Sequence, residues 1–192
     1  AIYAGTAGAG VWHSRDGGAS WQGIHTGLRN PYILTLAFTS SPSTRLFAGT
    51  AEGAFVLDLR QDQSGQPLVW QSVADLPAKE VRALAVHPPS GSIYAVTPEE
   101  LLVSRDGGVE WTRLGAEALA SYEADIQTLT LPTSQSGGWL YGVSLYLGTD
   151  RGILVSHDGG AEWQAALPGQ WVDRLIVEGA SSQRVFAAVR NG

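Results

Sequence analysis

One eight-residue pattern occurs three times in this sequence, and no other feature restricts the fold so tightly. Ser14-Arg15-Asp16-Gly17-Gly18-Ala19-Ser20-Trp21 returns as Ser104-Arg105-Asp106-Gly107-Gly108-Val109-Glu110-Trp111. It returns again as Ser156-His157-Asp158-Gly159-Gly160-Ala161-Glu162-Trp163. Repetition at a period of tens of residues means an array of like units, each too small to bury its own apolar face. The first gap, from Ser14 to Ser104, is nearly twice the second, so it should hide a degenerate copy. That copy lies around Trp70, where residues 55–59 replace the usual strand and a looser loop, 60–67, replaces the compact turn. Trp21, Trp70, Trp111 and Trp163 then mark four successive units.

Other segments repeat in phase with the tryptophans. Ile2-Tyr3-Ala4-Gly5-Thr6 is echoed by Leu46-Phe47-Ala48-Gly49-Thr50, Ile93-Tyr94-Ala95-Val96-Thr97, Leu145-Tyr146-Leu147-Gly148-Thr149 and Val185-Phe186-Ala187-Ala188-Val189. Apolar runs at 33–38, 81–86, 126–131 and 172–177 precede most of these. Each unit therefore reads as four strands, the first apolar on both faces and the later ones alternating. Asp-Gly-Gly between two strands is a hairpin signal, since glycine supplies the positive φ of the turn. Helix is confined to a short stretch at 116–124. The expected fold is all-β, a β-propeller of four-stranded antiparallel blades with about four blades visible. Residues 1–192 form one domain with repeats near 1–30, 31–78, 79–122 and 123–169 and a partial one at 170–192. Both ends of the chain fall on second strands, so joining them would leave one strand surplus. A section of a larger ring, of five to seven blades, is expected.

Ser-x-Asp-x-Gly-x-x-Trp on the hairpin between the third and fourth strands of a blade resembles the Asp-box, or bacterial neuraminidase, repeat. Three of the four turns match every motif position, and the second blade departs from it at 58–70. Sialidases, xyloglucanases, sortilin-type receptors and photosystem II assembly factors share the motif, so the resemblance implies a fold and leaves function open. In that family the turns lie on the outer rim, away from the central pocket. The resemblance therefore implies a structural role for Ser14, Asp16, Gly18, Trp21, Ser104, Asp106, Gly108, Trp111, Ser156, Asp158, Gly160 and Trp163.

Composition narrows the function. Eighteen acidic residues against twelve basic ones give a net charge of −6, and Lys79 is the only lysine, a poor match to a nucleic-acid backbone. Charged residues are 16%, below the roughly 25% of average domains, but 44% apolar content argues against disorder. Cysteine is absent, which excludes disulfides and thiolate metal sites. No apolar run is long enough to span a bilayer. The chain starts at Ala1 rather than Met, which leaves room for a leader or anchor ahead of it, and an extracytoplasmic location, secreted, periplasmic or surface-anchored, is expected.

The residues themselves offer little chemistry. Asp16, Asp106 and Asp158 sit where a turn needs an acceptor, and one carboxylate per turn is too few oxygens for calcium. His13, His25, His87 and His157 are scattered, so no metal site and no cofactor are expected. Gly5-Thr6-Ala7-Gly8-Ala9-Gly10 is glycine-rich, but no helix pattern follows it to bind a phosphate. For a glycosidase, Arg82 and Arg174 stand on or beside inner-strand runs and Asp125 and Asp173 at strand entrances. The Phe/Tyr-Arg-Ile-Pro segment of sialidases does not occur. The functional expectation is thus a non-catalytic propeller that binds another protein or scaffolds an assembly. The alternative is a carbohydrate-active propeller with an incomplete catalytic set. Trp21, Trp111 and Trp163 are expected to be buried. Trp139, in a loop between blades, and Trp171, before an inner strand, are the candidate contacts, along with the long loops at 116–125 and 133–139.

Overall fold

The computed structural model describes residues 1–40, 44–63, 67–76, 79–132, 143–178 and 184–190. Five antiparallel sheets follow one another, each a meander in chain order. The first holds β1 (Ile2–Gly5), β2 (Val11–Ser14) and β3 (Gln22–Gly23). The second holds β4 (Ile33–Thr39), β5 (Arg45–Thr50), β6 (Gly53–Asp58) and β7 (Gln71–Ser72), with a helical turn α1 (Arg60–Gln63) before β7. The third holds β8 (Ala83–Val86), β9 (Ile93–Val96), β10 (Leu101–Ser104) and β11 (Thr112–Arg113). A short helix, α2 (Ala116–Ser121), leads to the fourth, β12 (Ile126–Thr130), β13 (Leu145–Thr149), β14 (Gly152–Ser156) and β15 (Gln164–Ala166). The fifth pairs β16 (Trp171–Glu178) with β17 (Arg184–Arg190). These are the blades of a β-propeller, and the second blade keeps all four strands although its motif is lost.

The blades share register as well as order. The pairing of the first two strands shifts at the same place in three of them, between Ile33 and Thr35, Ile126 and Thr128, and Val172 and Arg174. In the second and fourth blades the threonine ending the second strand ties the turn to the third. Thr50 Oγ1 donates to the Gly53 carbonyl at 2.8 Å and Thr149 Oγ1 to that of Gly152 at 2.9 Å. Such side-chain bonding to nearby backbone explains why a threonine recurs in phase.

No blade buries its apolar residues alone. Val11, Leu46, Phe55 and Trp70 form a cluster between blades one and two, and Phe47, Val81, Ile93 and Leu102 form one between two and three. Tyr94, Val103, Leu145 and Trp163 fill the next seam, and Tyr146, Ile153, Val172 and Leu175 the last. Burying a residue such as Phe47 stabilises by roughly 2–3 kcal/mol, so the seams hold the arc together. In the second, third and fourth blades the aromatic of the second strand (Phe47, Tyr94, Tyr146) faces the following blade and the aliphatic before it (Leu46, Ile93, Leu145) the preceding one.

One connection differs from expectation. Residues 131–144 join β12 to β13, two strands of one sheet, so this segment lies within the fourth blade rather than between blades.

Candidate functional site

The three matching turns have one geometry. Ser104, fully buried, donates to Asp106 Oδ1 at 2.7 Å while its oxygen accepts the Gly108 N–H at 2.8 Å. The Asp106 carboxylate then accepts the N–H of Val109 and of Glu110, each at 3.0 Å. Ser156, Asp158, Ala161 and Glu162 repeat this at 2.8, 3.0 and 3.0 Å. In the first turn Ser14 donates to Asp16 at 2.8 Å and Ser20 N–H reaches the same carboxylate at 2.9 Å. Each indole N–H closes onto the second glycine's carbonyl: Trp21 to Gly18 at 3.1 Å, Trp111 to Gly108 at 3.3 Å and Trp163 to Gly160 at 3.1 Å. Those glycines sit at φ 102°, 93° and 95°, backbone that a side chain strains. The hydrogen bonds hold all three carboxyls below the ordinary carboxylate range. The largest effect comes from the Ser20 hydroxyl at Asp16, from the Glu110 N–H at Asp106 and from the Glu162 N–H at Asp158.

The tryptophans do not share one environment. Trp163 is 7% exposed, its indole nitrogen lying where a side chain on Gly115 would have to go, with Tyr122 donating to its carbonyl at 2.8 Å. Trp111 is half-buried against the seam between blades two and three. Trp21, expected to be buried, is 41% exposed. The cover for each motif tryptophan comes from the preceding blade, and none precedes the first among the described residues. Trp171 is 37% exposed, with the Arg190 guanidinium 4.9 Å above its ring and the Asp173 carboxylate 2.9 Å from that guanidinium. Trp139 and the 133–139 loop lie outside the described residues.

The motif turns occupy one end of the antiparallel blades, so the turns between second and third strands and the crossings to the next blade occupy the other. Charge collects at this second end. Asp125 and Asp150 bond through backbone, Asp125 N–H to Asp150 Oδ1 at 2.8 Å. Arg82 lies 3.3 Å from Glu80 and 3.6 Å from Asp125 and donates to the Ile126 carbonyl at 3.0 Å. Arg113 pairs with Glu100 at 3.0 Å and Lys79 with Glu99 at 3.2 Å. Arg82 and Asp125 are thus brought together, whereas Asp173 pairs with Arg190 and Arg174 donates to the Asp173 carbonyl at 3.3 Å. Glu80, Glu99, Glu100 and Asp150 belong to no sequence motif. For Glu99, Glu100 and Asp150 the signal was an acid in successive turns after the second strand, Ala51-Glu52-Gly53, Glu99-Glu100 and Asp150-Arg151-Gly152, whereas Glu80, in the crossing from β7 to β8, carries none.

Histidines remain apart: His13 and His87 are buried, and His157 meets Ser144 at 3.3 Å. Among the described residues no group of three His, Asp or Glu side chains is arranged to hold a metal ion, and no helix is long and apolar enough to cross a membrane. A groove of about 530 Å³ between the first two blades is lined by Tyr3, Leu36, Phe38 and Leu46, with no acid–base pair. A smaller one, about 180 Å³, lies beside α2 with Glu99, Glu100 and Arg113 in its wall.

No protein-family model and no curated protein matches the sequence. Solved structures do. An ancestral GH74 enzyme superposes with a TM-score of 0.72 at 19% identity, over 97% of this chain and 25% of its own. The GH74 xyloglucanase of Xanthomonas campestris gives 0.69 at 18% identity, over 97% and 31%. YCF48 from Cyanidioschyzon merolae gives 0.62 at 14% identity, over 99% and 63%. The chain therefore spans a quarter to a third of the GH74 structures and under two thirds of YCF48, and the likeness shows the propeller fold.

Proposed function

We propose that this chain is an Asp-box propeller module that binds a protein partner without turnover, through the end of the blades opposite the motif turns. The observation that carries this reading is where the carboxylates go. Those of the motif are consumed by their own turns, and Arg82, Asp125, Asp173 and Arg190 neutralise one another in ion pairs. On this reading the twelve motif residues build blades. At the opposite end Glu52, Glu80, Glu99, Glu100, Glu123, Asp125 and Asp150 outnumber Lys79, Arg82, Arg113 and Arg151. An acidic rim on a rigid scaffold favours encounter with a basic or mixed protein surface. The partner is a protein in a larger complex outside the cytoplasm, with no nucleic acid and no cofactor involved.

A second reading, a carbohydrate-active propeller, draws on the GH74 neighbours and on the exposed Trp171 ring, a flat apolar platform of the kind a sugar face stacks on. Both are tested together. Affinity capture by the wild type and by Glu99→Lys/Glu123→Lys, alongside assays on xyloglucan and sialosides, separates them. The expected result is capture that falls at least tenfold in the double variant, with no hydrolysis. Hydrolysis lost on Trp171→Ala would replace the first reading by the second.

A further inference from the structure

The crossing from the third blade to the fourth, 115–125, is the longest at the charged end, against 25–32, 74–80 and 168–171. Among the described residues it is the one crossing of the four that holds a helix. Gly115, at φ 62°, turns the chain out of β11, and α2 then buries Leu119 and packs Ala118 against the seam with the fourth blade. The fit is incomplete, and a groove of about 180 Å³ is left between α2, the end of β11 and the turn from β9 to β10. The third blade has a described blade on either side, so this groove lies inside the arc.

Two kinds of surface line it. Leu114, Ala116 and Leu119 are apolar, and Glu99, Glu100 and Arg113 are charged. The volume is below the roughly 300 Å³ at which small-molecule sites begin, so the groove suits a single side chain. An apolar wall edged with carboxylates matches a side chain that joins an aliphatic stem to a cationic head. The Glu100 side chain is only 19% exposed, whereas Arg113, paired with it at 3.0 Å, is largely in water. Glu99 already takes an ammonium, that of Lys79 at 3.2 Å, in an exposed pair of the kind that contributes little and is readily exchanged.

We propose that this groove seats one lysine side chain of the protein partner, its methylenes against Leu114 and Leu119 and its ammonium between Glu99 and Glu100. The assignment rests on the protein-binding reading above and gives that reading an anchor point. Lysine fits better than arginine, because a compact ammonium with three donors serves two carboxylates, whereas the guanidinium fork is matched to one.

The probe is n-butylammonium, a lysine side chain cut at its Cα, with 1-butanol as its uncharged counterpart. Each is titrated at constant ionic strength into residues 1–192 labelled at the leucine methyl groups and followed by NMR. Saturable shifts are expected at Leu114 and Leu119, with a midpoint about tenfold higher for 1-butanol, since hydrogen bonds between charged groups are the stronger ones. Glu100→Gln is expected to raise the n-butylammonium midpoint to that of 1-butanol. Ala116→Leu, at an exposed helix position, fills the groove with its charges intact and is expected to abolish both sets of shifts. Unchanged melting temperatures confirm that both variants fold. In affinity capture Ala116→Leu is expected to lower partner recovery at least tenfold. Equal midpoints for the two probes, shifts that survive Ala116→Leu, no shifts at all, or capture undiminished by Ala116→Leu each overturn the proposal. A wild type that captures no partner yet binds n-butylammonium in this way overturns the protein-binding reading instead, and with it the partner as the source of the lysine.

Discussion

The Trp70 indole N–H donates to the carbonyl of Ile24 in the preceding blade at 2.5 Å, where the three motif tryptophans, Trp21, Trp111 and Trp163, bond to a glycine of their own turn. The second blade has lost its Ser-x-Asp-x-Gly turn yet holds its tryptophan by reaching across the seam. Trp70 N–H follows, donating to Thr26 at 2.9 Å.

Trp70→Phe keeps most of the buried ring but strands the Ile24 carbonyl. The expected cost is about 1–2 kcal/mol, or a melting temperature lower by roughly 2–8 °C for a chain of this size. Urea titration at 25 °C measures it, and an unchanged midpoint would falsify the cross-seam role.

Much of this was legible in the sequence because the repeat exposes itself. Four in-phase tryptophans, the threonines ending second strands and the Asp-Gly-Gly turns gave blade number, strand order and the degenerate copy near Trp70. Burial was less legible. Trp21 matches Trp111 and Trp163 in every motif position, yet burial depends on what packs against the turn, which the motif itself does not specify. The charged end was illegible for a related reason. Arg82 with Asp125 meets only after two blades stack, Arg113 with Glu100 only once β11 pairs with β10, and their spacing in the chain follows no motif. The 131–144 segment read as a link between blades because it is longer than a turn within one sheet requires, although the second strand that follows it, β13 from Leu145, was legible.

The motif carboxylates predict an acid limb in stability. Hydrogen bonds in the folded state hold Asp106 and Asp158 below the ordinary value of 3.8. The unfolded chain then binds more protons as pH falls, so their stabilising effect is fully present above about pH 4 and is lost below it. Melting temperatures between pH 6 and pH 2 should decline, and Asp106→Asn/Asp158→Asn should decline less steeply while starting lower. Parallel profiles would remove these carboxylates as the cause.

His87 predicts a second limb at higher pH. Its Nδ1 meets the Ser90 hydroxyl at 2.8 Å, its Nε2 is buried without a partner, and burial pushes its pKa below 6.5. The protonated form is disfavoured by folding, so stability should fall as pH drops through 6.5 toward the depressed folded value. His87→Leu should lack this part of the decline, readable in melts between pH 8 and pH 5. An identical slope in the variant assigns the limb to other groups.

The glycines of the second strands make the sharpest steric prediction, because the same position carries a side chain in two blades, Val96 in the third and Ala188 in the fifth. A Cβ on Gly49 would stand 2.6 Å from both the Val81 carbonyl and Thr35 Cγ2. On Gly148 it would stand 2.7 Å from Thr128 and 2.8 Å from Val172, and on Gly5 it would meet Ile33 at 2.5 Å. At Gly49 and Gly148 the carbonyl of the next blade's Val81 or Val172 is among the close atoms, and backbone cannot step aside as a rotamer does. The third blade has Val96 there, fully buried, facing the fourth. Gly49→Ala should therefore cost about 1–3 kcal/mol through overpacking, since it forces two blades apart at a seam built for contact. Val96→Gly should also destabilise, by a comparable amount, because it opens a void where the seam is built wider. Chemical denaturation of both variants checks the pair. If Gly49→Ala proves neutral while Val96→Gly does not, seam width adjusts freely and the glycine is there for some other reason than the approach of Val81.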